Sequence, residues 1–414
     1  MTRAESDTMT EQPTDDRWRM LVLVGVAELF AMTLWFSASA VSPELAQLWE
    51  LSEAEQAWLT NAVQLGFVVG ALLSATLTIS DTYQPRYVFA GSTVLGAAAT
   101  GAIAAFVSSA LPAIVLRFVT GVALAGVYPT GMKMMAGWFD AGRGLSIGVL
   151  VGALTVGSAT PHLLRVVGGV GNPRLVLDGA MVIALVGAAL SLLYREGPYQ
   201  SEPAPFDPRA VGRILRDRGV ALANGGYFGH MWELYAVWTW IPVYLTASFA
   251  HRGMSNPEEL ASALTFGTIA IGGVGAWLVG SAADRWGRTT VTATSMVISG
   301  SATVLAGIVF GAPVWLVTPF VLLWGFVIVA DSAQFSAAVT ELADPNYVGS
   351  ALTLQTALGF LLTIGSIQLT PAVAEIVGWR WAFAPLVVGP LLGTISMILL
   401  RRHPDASKLA DGVG

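Results

Sequence analysis

A short segment that contains a glutamate occurs twice in this chain, each time inside a long apolar stretch. Residues 27–31 read Ala-Glu-Leu-Phe-Ala and residues 232–236 read Trp-Glu-Leu-Tyr-Ala, so Glu28 and Glu233 occupy the same place in two related segments. A carboxylate in hydrocarbon is costly and usually marks a pathway or a proton site. The repeat therefore predicts two related halves, each with one functional acid.

Two further matches support the repeat. Thr-Val-Gly-Ser at 155–158 returns as Thr-Ile-Gly-Ser at 363–366, and Asn-Pro-Arg at 172–174 corresponds to Gly-Trp-Arg at 378–380. Apolar helices also resemble one another through composition alone, but three matches in the same order favour a true repeat. A parallel repeat of this size is typical of membrane transporters.

The composition excludes several classes of protein. The chain is 54% hydrophobic and only 12% charged, whereas soluble chains carry about 25% charged residues. It has no cysteine, and His162, His230, His251 and His403 show no metal-ligand spacing, so we expect no metal and no cofactor. The net charge of −6 without a basic patch argues against nucleic acid. The sequence contains no arrangement of a nucleophile and a base that would indicate an enzyme.

The apolar residues form twelve segments of the length that crosses a bilayer. They are 19–41, 57–80, 86–108, 111–136, 143–165, 174–194, 219–249, 258–283, 289–310, 313–340, 348–372 and 380–401. We expect an all-α membrane protein with twelve transmembrane helices in two pseudo-symmetric six-helix bundles. The expected parts are a disordered cytoplasmic tail (1–18), an N-terminal bundle (19–198), a cytoplasmic linker (199–218), a C-terminal bundle (219–403) and a second cytoplasmic tail (404–414).

Basic residues are distributed unevenly between the two ends of these segments. With the N-terminus inside, the outer loops hold only Arg165, Arg174, Arg252 and Arg380, and the other arginines and lysines lie mostly on the inner side. Cytoplasmic loops are enriched in basic residues. We therefore expect a multi-pass protein of the cytoplasmic (inner) membrane with both termini in the cytoplasm.

The loop between the eighth and ninth segments carries a known motif. Residues 280–288 read Gly-Ser-Ala-Ala-Asp-Arg-Trp-Gly-Arg. They resemble the signature loop of the major facilitator superfamily (MFS), Gly-x-x-x-Asp-Arg-x-Gly-Arg, of which residues 81–86 keep only a part in the first half. The resemblance implies the MFS fold and a conformational latch formed by Asp81, Arg86, Asp284, Arg285 and Arg288.

The fourth segment carries a second resemblance. Residues 117–121, Arg-Phe-Val-Thr-Gly, resemble the family's Arg-x-x-x-Gly segment. A buried guanidinium cannot readily lose its charge and is expected to need an anionic partner. In the sugar-porter branch of the family, an acid on the first helix and an arginine on the fourth form the proton-coupling pair. The resemblance implies that Glu28 and Arg117 do so here, and the alternative is a permanent structural ion pair. His230 precedes Glu233 by one helical turn, so these two are expected to act together.

The end of the fourth segment resembles organic anion:cation symporters. Residues 129–133 read Pro-Thr-Gly-Met-Lys, with Trp-Phe at 138–139, and that branch has an arginine in place of Lys133. The resemblance implies that Lys133 binds an anionic substrate, and the alternative is an ordinary anchor at the membrane face. The antiporter signature Gly-Pro-x-x-Gly-Gly is absent from the fifth segment, which favours uptake.

Polar and aromatic residues at mid-helix complete the predicted site. Asn61 and Gln64, and likewise Asp331 and Gln334, are three residues apart and share a helical face. The candidate substrate-binding residues are Trp35, Asn61, Gln64, Tyr128, Lys133, Tyr235, Trp240, Asp331, Gln334 and Gln355. The alternative for the amides is a hydrogen bond between helices, and for the aromatic residues it is the interfacial belt.

These patterns predict a proton-coupled secondary transporter that moves a small organic solute by alternating access. The expected proton-coupling residues are Glu28, Arg117, His230 and Glu233. We expect an organic anion, because the basic residues outweigh the acids once the glutamates are protonated. One alternative is a drug or cation exporter driven by proton antiport, and another is a membrane sensor that transports nothing. The expected partners are the solute, protons and the lipid bilayer, and the protein is expected to be a monomer.

Overall fold

The computed structural model describes residues 12–77, 79–139, 143–168, 170–199, 211–344 and 347–414. The beginning of the predicted N-terminal tail and most of the predicted linker lie outside these ranges. The helices of the first half are α1 (Gln12–Met32), α2 (Ser42–Trp49), α3 (Glu53–Thr76), α4 (Ile79–Thr82), α5 (Pro85–Phe106), α6 (Ala110–Leu124), α7 (Tyr128–Ala136), α8 (Arg143–Gly168) and α9 (Pro173–Ser191).

A short helix, α10 (Val211–Ile214), precedes the second half. The helices of the second half are α11 (Arg218–His251), α12 (Pro257–Trp286), α13 (Arg288–Val309), α14 (Val314–Ala330), α15 (Ser332–Leu342), α16 (Val348–Val377) and α17 (Val388–Arg401). Two 3₁₀ helices, Ala384–Val387 and Pro404–Gly412, flank α17.

Among the described residues, ten helical segments are long and apolar enough to cross a membrane. Two of these segments, Ala110–Ala136 and Val314–Leu342, each combine two consecutive helices. The long helices α1 and α11 are not among the ten, because charged, amide and aromatic residues interrupt their apolar sequence. These two helices are the first of the two halves. Together with the ten segments they give twelve among the described residues, one for each predicted segment, so the predicted fold class is confirmed.

The fourth segment of each half is divided at an equivalent place. Residues 125–127 separate α6 from α7, and Asp331 separates α14 from α15. A glycine before each break allows close packing: a Cβ on Gly121 would overlap a backbone carbonyl of α3, and a Cβ on Gly325 would overlap one of α12. Small residues let membrane helices approach in this way, and the repeat is therefore visible in the packing.

The first segments of the two halves differ. α1 ends at Met32 and residues 33–41 form turns, whereas α11 continues to His251 without a break. The predicted helix over residues 19–41 is therefore wrong beyond Met32. Hydropathy does not reveal the break, because the sequence stays largely apolar across it.

The two halves meet along the pairs α8–α12 and α3–α16. In the first pair, a Cβ on Gly273 would stand 3.0 Å from the Cα of Gly152, so the two backbones nearly touch. Further along this pair, buried Arg165 of α8 contacts Glu44 of α2 at 2.7 Å and donates to the Ser262 hydroxyl of α12, also at 2.7 Å. We call these three residues the Arg165 bridge. It joins the halves near the face opposite the one where α1 begins.

Candidate functional site

Glu28 lies on α1 with its side chain completely buried. On the adjacent α7, the Tyr128 hydroxyl lies within electrostatic range of the carboxylate, and a Cβ on Gly131 would stand 2.7 Å from Oε2. Tyr227 and Tyr235 of the second half lie within range of Tyr128 in turn. Among the described residues, neither oxygen of Glu28 has a hydrogen-bond partner. Buried polar groups are normally bonded, so this carboxylate is available to a proton, water or a solute.

Arg117 of α6 is also completely buried, but it forms no hydrogen bond with Glu28. Its guanidinium donates to the carbonyl oxygens of Leu34 (2.8 Å), Leu59 (3.1 Å) and Trp35, and to the hydroxyl of Ser37 (3.1 Å). The expected Glu28–Arg117 pair is therefore not formed in this structure, and neutral oxygens take the place of the expected anion.

The break in α1 explains the partners of Arg117. A helix that ends inside a membrane leaves its last carbonyls without partners, and a cation is stabilised at a helix C-terminus. Arg117 supplies both the donors and the charge for the turns after Met32. In the second half α11 has no break, and residues 321–323, at the corresponding place in α14, are Val-Leu-Leu. The arginine and the break thus occur together in one half and are both missing from the other.

Glu233 of α11 differs from Glu28 in having both oxygens bonded. Trp324 Nε1 of α14 donates to Oε1 at 3.0 Å, and the Ser299 hydroxyl of α13 donates to Oε2 at 2.9 Å. Both donors are neutral, so they orient the carboxylate without neutralising a charge on it. The two related glutamates therefore occupy unlike environments.

His230, one turn before Glu233, bonds elsewhere. Its Nδ1 lies 2.9 Å from Oδ1 of Asp331, and its Nε2 lies 2.7 Å from the Ser332 hydroxyl. These two partners form the junction between α14 and α15, so the break in this segment supplies both of them. The hydrogen bonds of Glu233 go to other residues than His230, but the two side chains lie within electrostatic range of each other.

Aromatic rings from both halves pack together in one cluster. Trp35 lies against Phe67, Tyr235 and Phe360, with ring centroids 5.2, 5.9 and 5.6 Å away. Phe67 and Phe360 are 4.7 Å apart. Trp35 and Phe67 belong to the first half and the other two to the second, so this cluster joins the halves through contacts between aromatic rings.

The predicted amides fall into two groups. Asn61 and Gln64 of α3 are completely buried, and none of their polar side-chain atoms has a hydrogen-bond partner among the described residues. Gln355 of α16 instead donates to Asn224 at 2.9 Å and accepts from Ser336 at 3.2 Å. The first-half amides therefore have hydrogen-bonding groups without a partner among the described residues, and the second-half amide is bonded within the protein.

The remaining predicted substrate residues have other environments. The Trp240 indole donates to the Ile367 carbonyl at 2.8 Å, so its polar group is engaged with the backbone. Gln334 accepts a hydrogen bond of 2.7 Å from Arg288. Lys133 is half-buried in the last turn of α7.

Arg288 of the signature loop binds within the second half. It contacts both oxygens of Glu341 on α15, with Nη2–Oε1 at 2.6 Å and Nε–Oε2 at 2.9 Å. Glu341 also accepts a backbone hydrogen bond of 3.1 Å from the segment Pro404–Gly412, which docks on α15. In that segment, a hydrogen bond from Lys408 lowers the pKa of Asp405.

The other predicted latch residues have few contacts in the described structure. The Arg285 side chain is exposed, and Arg86 donates to the neighbouring Gln84 and Tyr87. The side chains of Asp81 and Asp284 lie outside the described part of the chain.

Sequence reasoning missed several partners of the polar side chains. These are Ser299 and Trp324 at Glu233, Ser332 at His230, Glu341 at Arg288, and the Arg165 bridge. The available signal was weak: each is a single polar or aromatic residue in an apolar helix, with no fixed spacing to its partner. Glu341 was the easiest of these partners to predict from the sequence, because it is an acid at the same end of the bundle as Arg288.

Comparisons with known proteins give distant relatives. The chain is 25% identical over 197 residues to a putative proline/betaine transporter from Staphylococcus haemolyticus (strain JCSC1435), covering 42% of this chain and 40% of that protein. It is 25% identical over 266 residues to an uncharacterized MFS-type transporter from Yersinia pseudotuberculosis serotype O:3 (strain YPIII), covering 63% and 61%. Both matches span less than two thirds of the relative's length.

Solved structures share the fold over nearly the whole chain. A bacterial homolog of the human lysosomal transporter Spinster, inward-facing and unoccupied, has a TM-score of 0.71 at 14% identity and covers 93% of this chain and 97% of its own. A variant of the nucleoside transporter NupG has a TM-score of 0.71 at 13% identity, covering 92% and 99%. The sequence profile of the Major Facilitator Superfamily matches residues 24–367. The chain is a multi-pass membrane protein that belongs to the Major Facilitator Superfamily, a family of transporters and not of enzymes.

Proposed function

We propose that this protein is a proton-coupled secondary transporter that moves a small organic solute across the cytoplasmic membrane by alternating access. The main support is Glu28, a completely buried carboxylate whose oxygens have no hydrogen-bond partner among the described residues. In this role Glu28 receives a proton or a solute group on one side of the membrane and releases it on the other.

The energetic cost of a buried charge provides the coupling. An ionised carboxylate without a partner is strongly disfavoured in a low-dielectric interior. Closing the protein around Glu28 is therefore favourable only when Glu28 holds a proton or a positively charged group. The loaded carrier then reorients readily and the empty, ionised carrier does not. This difference links proton movement to solute movement.

The second half contributes a further proton site in this proposal. His230 lies between Asp331 and Ser332, and an imidazole in such a position can pass a proton between its neighbours. A proton held between His230 and Asp331 lies within electrostatic range of Glu233. Its loss or gain therefore changes the field at that glutamate.

The contacts between the halves are compatible with rocking. The backbones of α8 and α12 approach at Gly152 and Gly273, where no side chains interlock. The Arg165 bridge closes one face of this interface. If both termini are cytoplasmic, as the distribution of basic residues predicts, the closed face is the outer one.

An organic anion is the class of solute that the sequence predicts. Lys133 supports it, because it is half-buried two residues after Gly131, which lies beside Glu28. The other two bases behind that expectation, Arg117 and His230, have their nitrogens engaged. The S. haemolyticus relative is named a putative proline/betaine transporter, and both of those molecules carry a positive and a negative group.

Transport by reconstituted Glu28→Gln protein tests the proposal. A solute is first found from the thermal shift of the wild type, since a ligand that binds the native state raises its melting temperature. Under a pH gradient of the appropriate sign, wild-type proteoliposomes should accumulate that solute, and Glu28→Gln should only exchange it for itself. Glu259→Gln changes an exposed carboxylate in the first turn of α12 and should accumulate the solute normally. Wild-type uphill transport by Glu28→Gln would refute the role of Glu28.

A further inference from the structure

A cavity of about 260 Å³ lies in the first half, at the face where α1 begins. It lies between the turn before α5 and the chain that follows α9, and its lining residues are Gln84, Pro85, Arg86, Tyr194, Arg195 and Glu196. We call it the Arg86 cavity. Two guanidinium groups and one carboxylate line it, so its net charge is +1. The cavity is therefore suited to an anionic group.

Hydrogen bonds to the end of α7 hold one wall of this cavity in place. The Tyr194 hydroxyl donates to the Met134 carbonyl at 2.9 Å, and the Trp138 indole donates to the Arg195 carbonyl, also at 2.9 Å. The Arg195 side chain remains exposed beside this anchored backbone. The wall is therefore built by specific contacts, and it presents a cation to the cavity.

The internal repeat shows what fills the equivalent place in the second half. α13 corresponds to α5, and Arg288 at its start contacts both oxygens of Glu341 on α15. In the same turn, the Thr289 N–H donates to the Gly414 carbonyl at 3.3 Å. The second half thus supplies oxygen acceptors, one of them a carboxylate, from its own chain.

The arginine on the far wall also has a counterpart in the second half. Arg195 and Arg401 lie at the same distance after the matched segments 172–174 and 378–380. Arg401 donates to the Thr290 hydroxyl in the first turn of α13, so it approaches the start of the third helix of its half. The two cavities therefore have related cationic walls.

The first half lacks the internal acid of the second. α7, which corresponds to α15, reads Tyr-Pro-Thr-Gly-Met-Lys-Met-Met-Ala and contains no carboxylate. Among the described side chains, Arg86 donates only to Gln84 and Tyr87, which are neutral. Asp81 of the same loop has its side chain outside the described part of the chain. An anion from outside the chain is therefore the missing counterpart of the carboxylate on α15.

Side chains that suit a bilayer surround the Arg86 cavity. Tyr83 and Tyr87 beside it are exposed, and so are Leu192 and Leu193 at the end of α9. Tyrosines are enriched where a membrane meets water, and exposed leucines on a spanning helix face the acyl chains. The cavity therefore lies at the level of the lipid headgroups.

We propose that the Arg86 cavity binds the phosphate group of an anionic phospholipid. A guanidinium group matches the oxygens of a phosphate, and basic pockets at the ends of membrane helices bind lipid headgroups. The proposal is independent of the proposed function, because none of the expected proton-coupling or solute-binding residues lines this cavity. A bound headgroup joins the start of α5 to the end of α9. If both termini are cytoplasmic, the lipid belongs to the inner leaflet.

Thermal melting of delipidated protein in detergent tests the proposal. The probes are phosphatidylglycerol, phosphatidylcholine with the same acyl chains, and inorganic phosphate. A ligand that binds the native state raises the melting temperature. Phosphatidylglycerol should do so at lower concentrations than phosphatidylcholine, and added salt should weaken its effect by screening. Inorganic phosphate at the same concentrations should have no effect, because it lacks the acyl chains.

Charge variants separate a built site from a general attraction to the surface. Arg86→Gln and Arg195→Gln should each lower the affinity for phosphatidylglycerol about fivefold or more. Glu196→Gln should raise it, because a carboxylate that repels the phosphate is removed. Arg402→Gln is the matched control: it removes an exposed arginine at the same face but outside the cavity, and its affinity should equal that of the wild type.

Several results would overturn the proposal. Equal stabilisation by both phospholipids, or none by phosphatidylglycerol, would exclude an anionic lipid site. An equal loss of affinity in Arg402→Gln would indicate general surface attraction. Weaker binding by Glu196→Gln would assign the cavity to a headgroup that carries an ammonium group. Stabilisation by inorganic phosphate at the same concentrations would identify the ligand as a soluble phosphate compound and refute the lipid.

Discussion

The Arg165 bridge should determine how often the face opposite the beginning of α1 opens. Ser262→Ala removes the acceptor on α12 and leaves the contact between Arg165 and Glu44 in place. A hydrogen bond from a charged donor contributes about 1.5–3 kcal/mol, and about 1.4 kcal/mol corresponds to a factor of ten. Because only the closed state makes this bond, the open population should rise about 10- to 150-fold.

Chemical labelling of a single cysteine measures that population. The chain has no cysteine, so Ala57→Cys introduces the only thiol. Ala57 is completely buried on α3, one turn before Asn61, and should react with a membrane-impermeant maleimide only when this face opens. Adding Ser262→Ala should accelerate labelling by the same factor as the open population, provided that opening and closing are fast.

Ser281→Ala is the matched control for this measurement. Ser281 lies on the same helix, is exposed, and donates to the Trp277 carbonyl one turn before it. Its loss should leave the labelling rate of Ala57→Cys unchanged. Equal rates in the Ser262→Ala and Ser281→Ala backgrounds would refute the reasoning, because the bridge would then contribute nothing to closure.

Two further predictions concern the first helix and the C-terminal segment. Arg117→Ala should lower the free energy of unfolding in detergent by about 3 kcal/mol or more, because the carbonyls of Leu34, Trp35 and Leu59 lose their donor; a loss below about 1 kcal/mol in chemical denaturation would contradict this. Asp405→Asn should loosen the segment Pro404–Gly412, because the attraction of Lys408 is lost, and limited proteolysis should cut it faster. Since the pKa of Asp405 is lowered in the folded protein, its contribution is present above about pH 4 and is lost as the pH falls through the lowered pKa. Cleavage of the wild-type segment should therefore stay constant between about pH 5 and 8 and rise in stronger acid.

The internal repeat made the architecture predictable from the sequence. The matching segments around Glu28 and Glu233 align the two halves of the sequence. The breaks at residues 125–127 and at Asp331 follow the same alignment. Apolar segment length is a strong signal, because each spanning helix must satisfy its backbone inside the bilayer. Fold class depends on these coarse properties and not on the partner of any one side chain.

The partners of individual side chains could not be predicted in this way. Hydropathy indicates that residues 19–41 are apolar, but it does not indicate that α1 ends at Met32 and exposes carbonyls to Arg117. The bond from Trp324 to Glu233 depends on how two helices are rotated about their axes. A shift of one residue turns a side chain by about 100°, so sequence spacing within one helix cannot identify a partner on another.

The carbonyl oxygens around Arg117 have a property that a carboxylate partner would lack. A peptide carbonyl does not take up a proton at any pH at which the protein is folded, so these contacts are the same whether Glu28 is protonated or ionised. The first half thus contains a permanent cation whose hydrogen-bond partners are all neutral dipoles. In the proposed function, protonation of Glu28 therefore changes one charge and leaves the partners of Arg117 as they are.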